Sequence, residues 1–226
     1  MRNLCLLVVL GLLSGCEPVQ LPADVRMPDG AVYDGDTEDN LFHGQGSLTW
    51  PDGRHYEGEF QEGLMTGEGR LEGRDGCVQE GHFVNGVLNG EGSYTCPDAS
   101  YQGQFTNGEL TKGSVAYLDD NSYQGEFRDF QPHGQGLWVT ASAEQFEGTF
   151  AEGYMVKGTY RNEEGYHYQG EFDFFTFEGK GELTRPDGVV IRATFENGHA
   201  EGPGTRTRPR DAVSYTHLTL PTSSVV

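Results

Sequence analysis

The chain has 226 residues, and its 35 acidic against 15 basic side chains give a formal net charge of −20. Phosphate binding needs a basic face, so this charge argues against a nucleic-acid partner and disfavours anionic lipid headgroups. Only 35% of the residues are apolar, yet 34 are glycine and 12% are aromatic, a composition that favours many short strands over disorder.

The N-terminus is predicted to be an export signal. Arg2 precedes an apolar run over Leu4–Leu13, shorter than the 20 or so residues that a membrane-spanning helix needs. Leu13-Ser14-Gly15-Cys16 resembles the lipobox of bacterial lipoproteins. The resemblance implies that residues 1–15 are removed and that Cys16 is acylated, and Glu17 favours the outer membrane. The alternative is a simple signal peptide with an incidental cysteine. Residues 16–30 are then the lipidated cysteine and a proline-containing tether.

A tandem repeat follows. From residue 56, an aromatic, a glycine and an aromatic alternate, and further glycines stand seven, eleven and thirteen residues after the first aromatic. The frame recurs every 22 or 23 residues, and repeats 1 to 8 begin at Tyr33, Tyr56, Gln79, Tyr101, Tyr123, Phe146, Tyr168 and Ile191. The second aromatic position holds Thr37 in repeat 1 and then Phe60, Phe83, Phe105, Phe127, Phe150, Phe172 and Phe195. In a strand, alternate residues share a face, so both aromatic positions and the glycine between them face the same way.

The frame resembles the membrane occupation and recognition nexus (MORN) repeat over residues 31–206. The resemblance implies an all-β fold: an elongated, twisted antiparallel β-meander of about eight hairpins, one per repeat, stacked into an open solenoid-like sheet. Residues 207–226 share neither the repeat nor its acidity, and we expect an irregular C-terminal tail there.

Repeats 4 to 7 depart from the glycine pattern of the frame. Repeats 4 and 6 lack the paired glycines and have Lys112-Gly113-Ser114 and Lys157-Gly158-Thr159 instead. Repeats 5 and 7 place Phe130 and Phe175 where the mid-turn glycine belongs. The departures alternate, as though adjacent repeats were paired, and they predict altered turns at these points.

The aromatic residues of the frame have two interpretations. They are either the hydrophobic core of the stacked hairpins or a stripe that binds a sugar or a peptide. Aromatic residues outside the frame are the better candidates for exposed rings that contact a partner, namely Trp50, Trp138, Tyr154 and Phe174.

Cys77 and Cys96 lie on opposite sides of the turn in repeat 3, nearly opposite each other and with the parity of one face. In an oxidising periplasm or at a cell surface, this arrangement favours a disulfide. The alternative is two small, buried apolar residues.

No catalytic, cofactor or metal site is predicted. The acidic run Asp34–Asn40 lacks the glycine and the glutamate that a calcium loop requires, so it indicates a solvated cap. Carboxylate doublets such as Asp119/Asp120 and Glu163/Glu164 are adjacent in the chain and would point to opposite faces of a strand.

These observations favour a membrane-anchored lipoprotein that acts as a scaffold or protein-interaction module. Its membrane contact would be the lipid at Cys16, and its partner another protein rather than a nucleic acid or a small-molecule substrate. The alternative is direct phospholipid binding by the repeats, and a hydrolytic enzyme fits less well.

Overall fold

The computed structural model describes residues 25–208 and 211–215, and it describes side chains only as far as residue 208. These residues form eighteen strands. The strands are β1 Val25–Arg26, β2 Val32–Glu38, β3 Leu41–Thr49, β4 His55–Gln61, β5 Leu64–Glu72, β6 Val78–Val84, β7 Val87–Thr95, β8 Ala99–Thr106, β9 Glu109–Tyr117, β10 Ser122–Arg128, β11 Gln131–Val139, β12 Gln145–Ala151, β13 Tyr154–Arg161, β14 His167–Asp173, β15 Thr176–Thr184, β16 Val190–Glu196, β17 His199–Arg208 and β18 Asp211–Tyr215.

The strands form one antiparallel sheet in chain order. Each strand pairs with the strand before it and the strand after it, within repeats and between them. Strands β2 to β17 make eight hairpins, one for each repeat. The predicted all-β meander of hairpin repeats is therefore confirmed.

The two ends of the sheet differ from the sequence-based expectation. β1 lies inside the expected tether and pairs with the start of β2. β17 continues to Arg208, and β18 pairs with it where an irregular tail was expected. The outer strand of an open sheet offers unpaired backbone groups, and the Val and Tyr of residues 211–215 favour strand conformation. The export signal and Cys16 lie outside the described residues.

All eight hairpins use the same two-residue turn. In repeat 2 the turn residues are Glu62 and Gly63, with φ of 51° and 83°. A turn with both central residues at positive φ matches the right-handed twist of the paired strands. The expectation of altered turns in repeats 5 and 7 is wrong, because Phe130 (φ 59°) and Phe175 (φ 64°) adopt the same left-handed conformation as the glycines they replace.

The turn glycines shape the hairpin turns, whereas the first of the paired glycines shapes a bulge in the second strand. In repeat 2, Gly58 pairs with Gly69 but Glu59 pairs with Thr66, so Gly67 and Glu68 bulge out of β5. Gly67 supplies the left-handed conformation of this bulge, with φ of 57°.

Repeats 4 and 6 have a shorter bulge. In repeat 4, Gln104 pairs with Lys112 and Phe105 with Leu110, which leaves only Thr111 outside the pairing. Repeat 6 does the same, with Val156 left over between Lys157 and Met155. The missing glycine of these repeats thus corresponds to one residue fewer in the bulge, between the turn and the glycine row, and the turn itself is unchanged.

A row of glycines crosses the sheet. One glycine from each strand of β2 to β15 pairs with the glycine of the next strand, and Ala193 of β16 continues the row. The glycines are 35, 46, 58, 69, 81, 92, 103, 113, 125, 136, 148, 158, 170 and 181. Without side chains, they leave a channel on the aromatic face of the sheet, and this face is called the inner face below.

The leading tyrosines fill this channel. Tyr56 is fully buried, and its hydroxyl donates to the backbone oxygens of Glu59, at 3.1 Å, and Thr66, at 3.3 Å. Both carbonyls flank the bulge, so one hydroxyl satisfies backbone groups that the bulge removes from the sheet pairing. The tyrosines that open repeats 1, 5 and 7 make the equivalent bonds.

Candidate interaction surface

The aromatic residues of the frame form the core. Those that are buried are Tyr33, Tyr56, Phe60, Phe83, Phe105, Tyr123, Phe127, Phe146, Phe150, Tyr168, Phe172 and Phe195, while Tyr101 is half-buried. Six of the seven pairs of neighbouring repeats contact each other through these rings. The ring centroids of Tyr33 and Phe60, for example, are 5.2 Å apart, and the rings are nearly perpendicular. Edge-to-face contacts of this kind stabilise the packing beyond the area buried. The frame rings therefore pack against one another, and the structure gives them the core role.

The phenylalanines in the turns of repeats 5 and 7 each pack against the two repeats before them. The ring of Phe130, in the turn of repeat 5, lies 5.4 Å from both Tyr94 and Tyr101 of the repeats before it. Phe175, in the turn of repeat 7, lies 5.1 Å from Phe146 and 5.3 Å from Trp138.

Elsewhere the turn glycine makes a different contact with the preceding repeat. The N–H of Gly63, for example, donates to the carbonyl of Phe42 at 3.0 Å. Four other hairpins repeat this bond. In repeats 5 and 7 the ring of the turn phenylalanine contacts the preceding repeat instead. These preceding repeats, 4 and 6, are the two whose bulge is one residue shorter.

The outer face of the sheet is polar and acidic. Residues that flank the glycine row in the chain point outward, and they line a shallow groove of about 650 Å³ over repeats 1 to 4. The exposed carboxylates of this groove are Glu57, Glu68, Glu80 and Glu91, and its one cation is Arg70. An extended partner with basic groups is complementary to such a surface.

Some outer-face carboxylates support the bulges. Glu59 Oε1 accepts from the backbone N of Glu68 at 3.3 Å, and Glu126 Oε1 accepts from that of Gln135 at 3.5 Å. Others form cross-strand ion pairs, such as Arg192 with Glu182 at 2.5 Å. Exposed pairs of this kind contribute little stability, and the carboxylates outnumber their partners. The excess negative charge stays available to a partner.

The aromatic residues outside the frame divide into two kinds. Trp50 is half-buried under the guanidinium of Arg54, whose Cζ lies 4.7 Å from the ring centroid. Trp138 is also half-buried. Phe174 and Tyr154 are 64% and 45% exposed, and their centroids lie 4.4 Å apart. The exposed rings are thus concentrated at the turns of repeats 6 and 7.

A cleft that the sequence did not indicate lies beside these rings. It has a volume of about 470 Å³, and its walls include Trp138, Phe146, Tyr160, Phe175 and Phe177. The turns of repeats 7 and 8 and the connection between β11 and β12 complete it. These segments are far apart in the chain. The one sequence signal for the cleft was the phenylalanine doublet at residues 174–175, which replaces the usual turn residues.

Burial perturbs the tyrosines of both regions. Desolvation, followed by the nearby negative charge of Glu59, raises the pKa of Tyr56 to about 12. Tyr123 has its pKa raised to about 12, chiefly by desolvation and then by Glu126. The pKa of Tyr160 is raised by desolvation first, and then by its hydrogen bond to Glu144. All three phenols are therefore neutral at physiological pH.

The two predicted disulfide residues are joined. The sulfurs of Cys77 and Cys96 are 2.10 Å apart and the Cα atoms 4.2 Å apart. Cys77 directly precedes β6 and Cys96 directly follows β7, so the bond closes the open end of the third hairpin. The disulfide joins the connection between repeats 2 and 3 to the connection between repeats 3 and 4.

The other candidate positions carry no assembled site. Asp34–Asn40 forms β2 and the first hairpin turn, and within residues 25–208 no three metal-ligating side chains cluster. Asp119/Asp120 and Glu163/Glu164 lie in the turns between repeats. The residues that the structure describes include no helix long and apolar enough to cross a membrane.

Comparison with solved structures finds TCP domains of CPAP proteins. The wild-type TCP10 domain of CPAP from Danio rerio is 17% identical, with 78% of this chain and 95% of that chain covered and a TM-score of 0.38. Its E1021V mutant is 11% identical, covers 87% and 99%, and has a TM-score of 0.39. The TCP domain of SAS-4 (dCPAP) from Drosophila melanogaster, in complex with a proline-rich motif of Ana2, is 12% identical, covers 87% and 89%, and has a TM-score of 0.28. No curated protein sequence matches the chain.

The family model of the MORN repeat matches six segments: 33–53, 56–78, 80–100, 123–142, 168–190 and 193–211. They make up more than half of the chain. The hairpins that it leaves out are those of repeats 4 and 6, the two with the shorter bulge and without its glycine. Because these segments match the family model and each forms a hairpin, this chain belongs to the MORN repeat family.

Proposed function

We propose that this chain is a lipid-anchored scaffold whose MORN array binds another protein. The observation that carries the proposal is the acidic groove on the outer face of repeats 1 to 4, which lies on one continuous sheet of eight hairpins. A long sheet with a polar face offers many contacts along its length, which suits binding and spacing better than chemistry at one point. The net charge of −20 favours a partner with basic groups.

The anchor in this proposal is Cys16. The lipobox resemblance supports acylation there, in the outer membrane with the array facing the periplasm or the cell surface. Eight residues lie between Cys16 and the first described strand, a reach of at most roughly 30 Å when extended. The array would therefore be held close to the membrane surface, where its acidity disfavours contact with anionic headgroups.

We propose no catalytic role. The carboxylate doublets lie in exposed turns, and the carboxylates with assigned contacts support bulges or join cross-strand ion pairs. A general acid or base must be held within hydrogen-bond reach of the proton that it transfers to or from a bound substrate.

Crosslinking in intact cells, followed by capture of the chain and identification of the attached proteins, tests the proposal. Two variants are compared, each with three glutamates changed to glutamine, so that both lose the same charge but at different places. The outer-face variant changes Glu57, Glu80 and Glu91, and the control variant changes Glu62, Glu109 and Glu163 at turns and edges. We expect one partner whose yield falls severalfold with the outer-face variant alone.

Fractionation of the same cells tests the anchor. The wild type should stay with the membranes, and Cys16→Ser should be released from them. Equal capture by both triple variants would contradict the role of the outer face. Retention of the full-length Cys16→Ser variant on anionic vesicles at physiological salt would favour direct lipid binding by the repeats.

A further inference from the structure

The aromatic cleft combines ring walls with a carboxylate. Trp138, Phe146 and Tyr160 are neighbours in one cross-strand row of the inner face, and the turn phenylalanines 174–175 close over them from repeat 7. Glu144 lines the same cleft. Its Oε1 accepts from the Tyr160 hydroxyl at 2.6 Å, and its Oε2 accepts from the Ser142 hydroxyl at 3.2 Å.

The carboxylate is held in place before any ligand arrives. The backbone N of Glu144 donates to Thr140 Oγ1 at 3.1 Å, and the backbone N of Ala141 donates to Asn121 Oδ1 at 3.0 Å. Two hydroxyls occupy two of the roughly four lone-pair positions of a carboxylate, so Glu144 can accept further hydrogen bonds. A fixed acceptor of this kind lowers the entropic cost of binding.

The electrostatics of the cleft favour a cation. The described residues that line it include no lysine or arginine. Glu164 lies near enough to Tyr160 to raise its pKa, and Glu178 Oε2 accepts from the backbone N of Asn197 at the rim at 3.1 Å. Electron-rich ring faces also attract cations, most strongly when these are desolvated.

We propose that this cleft binds the guanidinium of an arginine side chain in a basic segment of the partner protein. The proposal rests on the protein-binding function given above and adds to the outer-face contact a second contact, on the inner face of repeats 5 to 8, with its chemistry. A guanidinium stacks flat on aromatic rings and also donates two parallel hydrogen bonds to a carboxylate. A lysine ammonium is a compact point charge that can lie over a ring or pair with a carboxylate, but it neither stacks flat nor donates two parallel hydrogen bonds. The exposed rings of Phe174 and Tyr154 would contact the residues that flank the arginine.

The test uses capped peptides Gly-Ser-Xaa-Ser-Gly in which Xaa is arginine, citrulline, lysine or glutamate. The chain has two tryptophans, so the full-length Trp50→Phe variant reports from Trp138 alone by fluorescence. The arginine peptide should bind, and citrulline, which keeps the shape without the charge, should bind about tenfold more weakly. Lysine should fall between the two, and the glutamate peptide should not bind.

Variants of the cleft and of the outer face test whether the arginine peptide binds in the cleft. Glu144→Gln should weaken the arginine peptide about tenfold and leave citrulline nearly unchanged, and Phe174→Ser should weaken arginine about threefold. Glu57→Gln, which removes one charge from the outer face, should change binding less than twofold. Phe174 is mostly exposed, so its replacement leaves the core intact.

Three results would overturn the proposal: no response to the arginine peptide, equal binding of citrulline and arginine, or equal effects of Glu144→Gln and Glu57→Gln. The cellular crosslinking experiment separates this failure from that of the proposed function. A partner captured equally by the wild type and Glu144→Gln would leave the scaffold function standing and remove the cleft from it.

Discussion

Gly69→Ala tests whether the glycine row exists to admit the tyrosine rings. A Cβ at Gly69 would lie 2.5 Å from Cζ and 2.6 Å from Cε2 of Tyr56, closer than carbon atoms approach without displacement. The ring has nowhere to move, because it packs edge-to-face against Phe60 and Phe83 with centroids 5.1 and 5.2 Å away. Its hydroxyl also bonds the bulge carbonyls of Glu59 and Thr66.

The size of the effect follows from these contacts. Overpacking a buried site costs about 1–3 kcal/mol, and each lost hydrogen bond adds about 1 kcal/mol. If the ring shifts and gives up one of its two bonds, Gly69→Ala should lower the free energy of unfolding by about 3 kcal/mol. Gly53→Ala is the control: its φ is 95° and an added Cβ would meet nothing within 4 Å. It should cost only the 1–2 kcal/mol or so of a left-handed backbone.

The assay is native-state hydrogen exchange on the full-length chain, since repeat arrays need not unfold as one unit. Protection should fall most in repeats 2 and 3. A double-mutant cycle with Tyr56→Leu isolates the steric cause: with the ring gone, the added methyl should cost less than about 1 kcal/mol. An equal cost in both backgrounds, or a cost no larger than that of Gly53→Ala, would refute the explanation.

Three further predictions concern single groups. Tyr56→Phe should destabilise its repeat by about 1–2 kcal/mol in hydrogen exchange because two carbonyls lose their donor, whereas Tyr101→Phe, whose hydroxyl makes none of the described hydrogen bonds, should be nearly neutral. Replacing both Cys77 and Cys96 with serine should lower the stability of repeat 3 by about 2–3 kcal/mol, and labelling of unfolded, unreduced wild type should find no free thiol at either position. The folded pKa of Tyr56 and of Tyr123 is raised to about 12 from an ordinary 10.0, so the unfolded chain loses these protons first. Their contribution to stability should be complete below pH 10 and lost as the pH rises towards 12, which urea unfolding at a series of alkaline pH values would show; constant stability over this range would contradict the burial of these phenols.

The fold could be predicted from the sequence because the same pattern of aromatic residues and glycines recurs in eight repeats. Alternation of Tyr56, Gly58 and Phe60 fixes a strand with one apolar face, and the glycines mark the turn and the bulge. One hairpin cannot bury its apolar face alone, so stacking follows from elementary burial.

The departures were harder to interpret because their cause is not local. Phe130 and Phe175 predicted altered turns, yet both adopt the left-handed conformation at a cost of about 1–2 kcal/mol. Their rings pack against the preceding repeats, where the bulge is one residue shorter. Only the three-dimensional register shows that these two irregularities compensate each other.

The aromatic cleft was beyond sequence analysis for a related reason. Glu144 and Tyr160 are separated by a strand, and nothing in the repeat frame distinguishes Glu144 from the many other carboxylates. Their contact depends on the turn between β11 and β12, and the cleft also needs the turns of repeats 7 and 8. The exposure of Phe174 and Tyr154, by contrast, was predicted because neither fits the frame. The same reasoning was wrong for the two tryptophans, which are half-buried.

Cross-strand contacts between backbone protons of the glycine row, measured by nuclear Overhauser effects on the full-length chain, test the central claim most directly. The claim is that all repeats form one sheet with a single register. We expect α-proton to α-proton contacts within hairpins, as between Gly35 and Gly46, and amide-to-amide contacts between hairpins, as between Gly46 and Gly58, in an unbroken series to Gly181. Contacts within each hairpin but none between neighbouring hairpins would mean that the repeats fold as separate units, and the continuous surface on which the proposed function depends would not exist.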